Sequence, residues 1–239
     1  MERALTQADA STPAAQALAR IRQADSARPF VVAQLGQSLD GRIATVSGES
    51  RYINGDEGLD HLHRLRAVVD AVVVGAGTID ADNPQLTVRR ASGQNPARVV
   101  IDPRGRLNGA GRWLADDGAP RILLSAAPRS TPAGVEAIVV PARAGRMAPA
   151  AIVAALAARG FRRILIEGGA RTISAFIDAG AVDRLHLIFG CTIIGSGRAG
   201  LQLEPLARLA DALRPATEVY KLGRHDILFD CGLRDAAGD

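Results

Sequence analysis

The chain has 239 residues, of which 47% are hydrophobic and 23% are charged, a composition typical of globular proteins and unlike that of disordered or fibrous chains. The 29 basic residues barely exceed the 25 acidic ones and aromatic residues make up only 3%, so we expect no nucleic-acid partner, which would need clustered cations and stacking aromatics. No apolar run reaches the ~20 residues of a membrane helix and no signal peptide is evident, so we expect no membrane partner and a cytoplasmic location.

Residues 1–28 are rich in Ala and small polar residues, and they predict a flexible N-terminal extension that ends in a short helix. Leu18 and Ile21 stand at helical spacing in this stretch. Residues 29–239 are predicted to form one domain, because α/β domains often exceed 200 residues. The first strand is the apolar run 30–35, which ends at Gly36.

Helical and extended patterns alternate along the rest of the chain. A helix over 56–69, with Leu59, Leu62, Leu65 and Val69 at helical spacing, precedes a buried strand over 71–74. Helices over 150–158 and 173–179 precede strands over 164–166 and 185–189 in the same way. Further strands are predicted at 98–101, 122–124, 137–140, 218–222 and 226–229.

Only three residues, 223–225, separate the last two strands, which suits a hairpin. The chain is therefore predicted to have an α/β fold with a mixed, mainly parallel sheet, flanked by helices and closed by a C-terminal antiparallel hairpin. Residues 141–146 are predicted to form a loop, because they are rich in Gly, Ala and Arg.

Cys191 and Cys231 lie in separate apolar stretches without C-x-x-C spacing, so both are expected to be buried free thiols. His61 and His63 are two residues apart on a helix and so do not face one another, which makes them poor joint metal ligands. We therefore expect both to be surface residues and predict no metal site. The other two histidines are expected in the core or an interface and in a turn: His186 and His225.

Residues 164–170 read Ile-Leu-Ile-Glu-Gly-Gly-Ala, an apolar strand that runs through two glycines into a helix. Glycines at such a junction let the backbone approach an anion with unpaired N–H groups pointing at it. The turn is either a phosphate cradle or a plain tight turn, and the motif alone leaves both open. Since it is not G-x-G-x-x-G, it does not predict an ordinary Rossmann domain.

Residues 72–78 repeat this pattern, because a buried strand ends in small residues and Thr78 then offers a hydroxyl where a helix could begin. Such a turn could face a ligand or simply cap a helix. Residues 80–89 place carboxylates, an amide and a cation in one loop, which could belong to a site or to a solvated surface.

Taken together, several separated motifs resemble the reductase domain of the riboflavin-biosynthesis deaminase/reductases. They are Ser-Leu-Asp-Gly-Arg-Ile-Ala at 38–44, Gly-Glu-Ser at 48–50, the loop 75–86, Val-Ile-Asp at 100–102 and Ile-Glu-Gly-Gly at 166–169. The resemblance covers residues 29–232. It implies a dihydrofolate-reductase-like fold, a homodimer, and NADPH-dependent reduction of the ribosyl group of a phosphorylated pyrimidine ribosylamine to a ribityl chain, as in 5-amino-6-(5-phosphoribosylamino)uracil reductases.

The resemblance also implies which residues bind. The positions that match NADPH contacts are Gly36, Tyr52, Thr78, Asp82, Pro103, Gly169, Ala170, Arg171, Thr172, Ile173, Ser174 and Ala175. The positions that match substrate contacts are Gln34, Ser50, Arg66, Leu86, Arg89 and Glu167. Arg66 and Arg89 suit phosphate, although each could instead form a surface ion pair. Glu167 is the catalytic candidate, and whether it accepts hydrogen bonds or assists proton transfer stays open.

Bifunctional bacterial members commonly have Lys where Gln34 stands, so this chain lacks a charge and a donor there. The change leaves open the uracil form, the diamino form used by fungal and archaeal relatives, or a pterin-like or secondary-metabolite ring. The chain also lacks the H-x-E and P-C-x-x-C zinc signature of the deaminase half. Two other functions compete: a dihydrofolate-reductase-like enzyme for a pterin, and a non-catalytic NADPH-binding relative.

Overall fold

The structure, a computed structural model, describes residues 13–24, 27–107 and 109–234. The helices are α1 (Pro13–Arg22), α2 (Asp56–Arg66), α3 (Ala76–Asp82), α4 (Pro149–Ala157) and α5 (Ala170–Asp178), with short 3-10 helices at Arg112–Leu114 and Leu209–Asp211. The strands are β1 (Phe30–Ser38), β2 (Arg42–Thr45), β3 (Ala71–Gly75), β4 (Ala97–Ile101), β5 (Arg121–Ser125), β6 (Val135–Val139), β7 (Ala142–Arg143), β8 (Arg146–Met147), β9 (Arg163–Glu167), β10 (Arg184–Gly190), β11 (Gly197–Ala199), β12 (Ala216–Leu222) and β13 (Asp226–Gly232).

Nine strands of the described residues form one sheet in the order β12-β13-β10-β1-β9-β3-β4-β5-β6. Neighbouring strands from β10 through β6 run parallel, whereas β13 pairs antiparallel with both β10 and β12. The predicted mixed, mainly parallel α/β sheet is therefore confirmed, and so is its C-terminal hairpin. The small hairpin of β7 and β8 occupies residues predicted to be a loop.

Both faces of the sheet are covered, which explains why the central strands are continuous apolar runs. On one face, Ala33 of β1 and Ile166 of β9 belong to a core cluster that includes side chains of α4 and α5. On the other face, Val72 of β3 and Leu165 of β9 belong to a second cluster with side chains of α1, α2 and α3. Since parallel strands end at the same edge, the turns after β9, β3 and β4 meet there.

Helix α1 packs on the domain, because Leu18 and Ile21 are fully buried in the second cluster and Arg20 forms ion pairs with Glu218 and Asp230. The predicted helical end of the extension is thus present. The rest of that prediction concerns residues 1–12, which lie outside the described residues.

Several predicted helix boundaries are wrong, and the helix predicted over 173–179 begins at Ala170, directly after the glycine turn. Helix α2 ends at Arg66 and not at residue 69, because after the cap residue Ala67 the N–H of Val68 bonds to the carbonyl of Leu65, three residues back, which breaks the helical pattern. Helix α3 begins at Ala76, so Thr78 lies inside its first turn and does not cap it. Among the described residues, no helix has the length and apolar character needed to span a membrane.

Cys231 is a buried free thiol, as predicted, whereas the prediction that Cys191 is buried is wrong. Cys191 directly follows the last residue of β10, so it has left the sheet for an exposed turn. Its backbone N–H donates to the carbonyl of His225, 2.8 Å away, and this histidine lies in the predicted turn between β12 and β13.

Candidate active site

A buried ion pair lies at the carboxyl end of β9, between Glu167 and the last residue of α2, Arg66. Arg66 Nε donates to Glu167 Oε2 at 2.8 Å, and Arg66 Nη2 donates to Glu167 Oε1. The two side chains are 5% and 10% exposed. Bidentate pairing fixes the plane of the carboxylate, and both of its oxygens already accept a hydrogen bond. Arg66 therefore orients Glu167, and the carboxylate already neutralises much of the positive charge that Arg66 could offer to a phosphate.

The third nitrogen of Arg66 holds the loop that follows α3. Arg66 Nη1 donates to the carbonyl oxygen of Thr87 at 3.0 Å. The neighbouring Leu86 is fully buried with φ of +60°, and Asn83, the residue that follows α3, has φ of +41°. Left-handed conformations are costly for such residues, and they occur where the surroundings fix the backbone. The loop that carries Leu86 and Arg89 is thus clamped against the ion pair.

His63 clamps the same loop from one turn earlier on α2. Its Nδ1 accepts the backbone N–H of Arg89 at 3.0 Å, and the side chain is 4% exposed. Burial, together with the positive charges of Arg66 and Arg89, lowers the pKa of His63 to about 4. The imidazole is therefore neutral near pH 7.

Positive charge is in excess around Glu167. The Arg89 side chain donates to Thr87 Oγ1 at 2.8 Å and has no carboxylate partner among the described residues. Partial burial and the nearby guanidinium groups of Arg66 and Arg112 lower the pKa of Arg89, which reports crowding of cations. The guanidinium groups of Arg66 and Arg89 beside one carboxylate, with Arg112 near Arg89, favour an anionic ligand.

A row of polar residues crosses the sheet beside this pair. Gln34 of β1 is in register with Glu167 of β9 on one side and with His186 of β10 on the other. His186 is in register with Asp230 of β13, and Asp230 with Glu218 of β12. Register partners on adjacent strands point to the same face of a sheet. The side chain of Gln34 is 7% exposed and forms no hydrogen bond with another described residue.

The prediction that His61 and His63 are surface residues is wrong, since both are buried. His61 is fully buried, and its Nε2 lies 3.1 Å from Nδ1 of His186, whose Nε2 lies 3.2 Å from Asp230 Oδ1. Although burial opposes it, the bonds from His186 and Arg184 lower the pKa of Asp230. The buried residues of α2 include His61, His63 and Arg66, whereas Leu59, which stands at helical spacing with Leu62 and Leu65, is exposed.

The far end of α2 is held by a carboxylate from the C-terminal hairpin. Asp226 is fully buried and accepts the backbone N–H groups of Gly55 and Gly58 at 2.9 and 3.0 Å and the side-chain amide of Asn54 at 3.1 Å. A carboxylate at a helix N-terminus satisfies free amides and complements the helix dipole. Asp226 therefore positions α2 and, through it, Arg66.

The predicted cofactor turn has the backbone of an anion cradle. Gly168 and Gly169 have φ of +66° and +63°, and α5 begins directly after them. The first-turn amides of Ala170 and Arg171 have no backbone acceptor among the described residues, and no acidic residue lies in that turn. Free amides and the helix dipole together favour phosphate.

The turns after β3 and β9 interlock through threonines. A Cβ added at Gly169 would lie 2.8 Å from Oγ1 of Thr78, and one added at Gly75 would lie 2.8 Å from Oγ1 of Thr172. Neither hydroxyl bonds to another described residue. Small residues at both turns thus leave two hydroxyls and the free amides of α5 close together, which fits the diphosphate of a dinucleotide. Ile173 and Ser174 are buried behind this turn, whereas Ala175 is exposed.

The remaining predicted positions lie around this edge without a contact to the ion pair. Gly36 packs against the side chain of Asn54. Tyr52 is exposed with φ of +67°, in the same loop as the exposed Ser50. Asp82 ends α3 and Pro103 follows β4 by two residues. Their roles as ligand contacts stay predictions, as does the homodimer.

This sheet, with a carboxylate–guanidinium pair and an anion cradle at one edge, is suited to an enzyme that binds phosphorylated ligands. The family described as the RibD C-terminal domain matches residues 29–219, and the chain belongs to this family. It is a pyrimidine reductase family of riboflavin biosynthesis, as the resemblance predicted.

The relatives include a 2,5-diamino-6-ribosylamino-4(3H)-pyrimidinone 5′-phosphate reductase of Methanothermobacter thermautotrophicus, 35% identical over 78% of this chain and 90% of its own length. The RibD protein of Escherichia coli is 30% identical over 77% of this chain, which spans about half (54%) of that protein. The solved deaminase/5-amino-6-(5-phosphoribosylamino)uracil reductase of Thermotoga maritima is 30% identical with a TM-score of 0.74, over 86% of this chain and 57% of that one.

Proposed function

We propose that the protein is an NADPH-dependent reductase that acts on 2,5-diamino-6-ribosylamino-4(3H)-pyrimidinone 5′-phosphate, the compound named for archaeal relatives at 35% identity. The reaction would convert its ribosyl group into a ribityl chain. The side chain of Gln34 carries this choice of ring, because it lies at the site, 7% exposed, and its amide forms no hydrogen bond with another described residue.

The amide of Gln34 is not among the fully buried unpaired atoms of the described residues, so it is open to a ligand that enters the site. A glutamine offers both an acceptor oxygen and donor hydrogens, whereas a lysine offers donors alone. The diamino ring carries an amino group, a donor, where the uracil ring carries a carbonyl, an acceptor. The oxygen of Gln34 can accept from that amino group, and a lysine could not. The side chain therefore favours the diamino ring.

The uracil form is the second candidate, because the similar Thermotoga enzyme is named as a uracil reductase. A glutamine can also donate to a carbonyl, so Gln34 would lower the preference for uracil without abolishing its binding. A pterin is a poorer candidate, since it carries no phosphate and would leave Arg89 without a counter-charge.

The cradle of Gly168, Gly169, Thr78 and Thr172 fits the diphosphate of NADPH, which supplies a hydride when bound. We infer that the acceptor is the imine carbon of the open-chain ribosylamine, and that a proton reaches the imine nitrogen separately, which balances the reduction of C=N to CH–NH. Arg66 holds Glu167 in one orientation beside Gln34, so the carboxylate can accept hydrogen bonds from the ring or sugar and align the imine carbon.

The test compares both pyrimidines, with NADPH oxidation followed by absorbance, for the wild type and for Gln34→Lys. For the wild type, we expect kcat/KM to be about tenfold higher for the diamino form, the factor typical of one well-placed hydrogen bond. Gln34→Lys should reverse or abolish this preference. A His225→Gln variant, changed in an exposed turn, should behave as the wild type.

Absence of turnover with either pyrimidine would contradict the proposed reaction. Equal kcat/KM values for the two rings, unchanged in Gln34→Lys, would leave the reaction standing but contradict the assignment of the diamino ring.

A further inference from the structure

The imidazole of His63 has its two nitrogens in different states. Nδ1 accepts the backbone N–H of Arg89 at 3.0 Å. A backbone N–H can only donate, so Nδ1 must present its lone pair, and the single proton of the neutral ring must lie on Nε2. The tautomer of His63 is thus set by the loop that it holds.

The hydrogen bond from the Arg89 N–H to Nδ1 also disfavours protonation of the His63 imidazole. An imidazolium would place a hydrogen on Nδ1 against the N–H of Arg89, which would replace a bond by a repulsion. Arg66 on the same helix and Arg89 and Arg90 on the facing loop oppose a positive charge there, and Glu167 on β9 alone favours it. His63 is therefore a neutral donor through Nε2 at physiological pH.

This donor has no protein acceptor. Nε2 of His63 forms no hydrogen bond with another described residue, although the side chain is nearly enclosed. Around it, Arg66 is committed to Glu167 and to the carbonyl of Thr87, whereas Arg89 has no carboxylate partner in the described part of the chain. The surroundings therefore combine unbalanced positive charge with a free neutral donor, and an oxygen-rich anion would satisfy both.

We propose that His63 is a substrate-binding residue whose Nε2–H donates to an oxygen of the phosphorylated ribose, while its Nδ1 keeps the Arg89 loop in place. The assignment rests on the proposed function for the identity of the substrate. The donor is suited to a phosphate or a hydroxyl oxygen, because either accepts a hydrogen bond from a neutral N–H.

Two substitutions separate the two nitrogens. His63→Asn keeps an acceptor near the position of Nδ1, so the Arg89 loop stays anchored, but it has no donor at the position of Nε2. His63→Gln reaches the position of Nε2 and keeps a donor there. Binding of ribose 5-phosphate, measured by titration calorimetry, is the probe, with ribose and inorganic phosphate as separate arms and His225→Asn as the histidine control.

We expect His63→Asn to bind ribose 5-phosphate about tenfold more weakly than the wild type, at an unchanged melting temperature. His63→Gln should bind more tightly than His63→Asn. In turnover, His63→Asn should raise KM for the pyrimidine about tenfold and leave kcat and KM for NADPH within twofold. If His63→Asn also binds inorganic phosphate more weakly than the wild type does, the contact is with the phosphate. If it instead binds ribose more weakly, the contact is with a hydroxyl.

Wild-type affinity of His63→Asn for ribose 5-phosphate would overturn the assignment, as would His63→Gln binding no better than His63→Asn, or a wild type that does not bind the sugar phosphate. These readouts do not need turnover. If the wild type binds ribose 5-phosphate in a His63-dependent way but reduces neither pyrimidine, the proposed reaction fails and the role of His63 stands.

Discussion

Replacing Glu167 by Gln would test whether the Arg66–Glu167 pair is a coupled, buried unit. The substitution keeps the shape of the side chain but removes the charge, and it turns one acceptor into an NH2 group that faces a donor of Arg66. Because both side chains are at most 10% exposed, Arg66 would be left as a poorly compensated buried cation. Removal of one partner of a buried pair typically costs about 3 to 5 kcal/mol, a large share of the ~5 to 15 kcal/mol that stabilise a domain.

We expect Glu167→Gln to lower the free energy of unfolding by about 3 kcal/mol in urea denaturation at neutral pH. Arg66→Met should cost a similar amount, and the double variant should lose at least about 2 kcal/mol less than the sum, because it leaves no uncompensated charge. Glu136→Gln is the matched control, since its pair with Arg159 is largely exposed and should change stability by less than about 0.5 kcal/mol. Additive losses, or a Glu167 effect no larger than that of Glu136, would show that Arg66 and Glu167 are not a coupled, buried pair.

Two further predictions concern stability. Burial lowers the pKa of His61 to about 3 and that of His63 to about 4, whereas each histidine has a pKa of about 6.5 in the unfolded chain. Below pH 6.5 the unfolded chain therefore takes up protons on these histidines while the folded chain does not. The free energy of unfolding should thus be full above pH 7 and fall by about 2 kcal/mol for each histidine by pH 5, a combined loss of about 4 kcal/mol. His61→Gln or His63→Gln should each remove about half of this combined loss. A urea midpoint that does not change between pH 7.5 and 5 would disprove this. Asp226→Ala should cost about 2 kcal/mol, because the amides of Gly55 and Gly58 lose their buried acceptor, and an unchanged urea midpoint would show that Asp226 does not hold the helix.

The elements of this fold are local, and that is why the sequence predicts them. Strand β1, helix α5 and the hairpin around 223–225 each follow from a hydrophobic period or a turn signal within a few residues. The Gly168–Gly169 turn could be recognised in the same way, although its assignment to a dinucleotide needed the other motifs in order. The ends of helices are predicted less accurately than their existence, as the early end of α2 shows, because a helix ends where the chain must turn to reach the next strand.

The polar contacts of the site are different, since they join residues far apart in the chain. Arg66 and Glu167 are 101 residues apart, and His61 and His186 are 125 apart. A histidine two residues from another on a helix predicts nothing about the strand that packs beneath it. The sequence therefore predicts His61 and His63 at the surface, because the strand residues that bury them lie more than a hundred positions away in the chain.

The alternation of helices and strands and the family follow from the amino-acid sequence alone, because they depend on local hydrophobic period and on motifs in a fixed order, and the matching cofactor and substrate positions stay predictions of the resemblance. The folded structure was needed to show that Arg66 pairs with Glu167, that Gln34 forms no hydrogen bond with another described residue, and that Nδ1 of His63 accepts a hydrogen bond, which leaves its proton on Nε2. The physical reason is that a side chain's free hydrogen-bonding capacity is what remains after its neighbours are satisfied, and those neighbours are brought together only by the folded sheet.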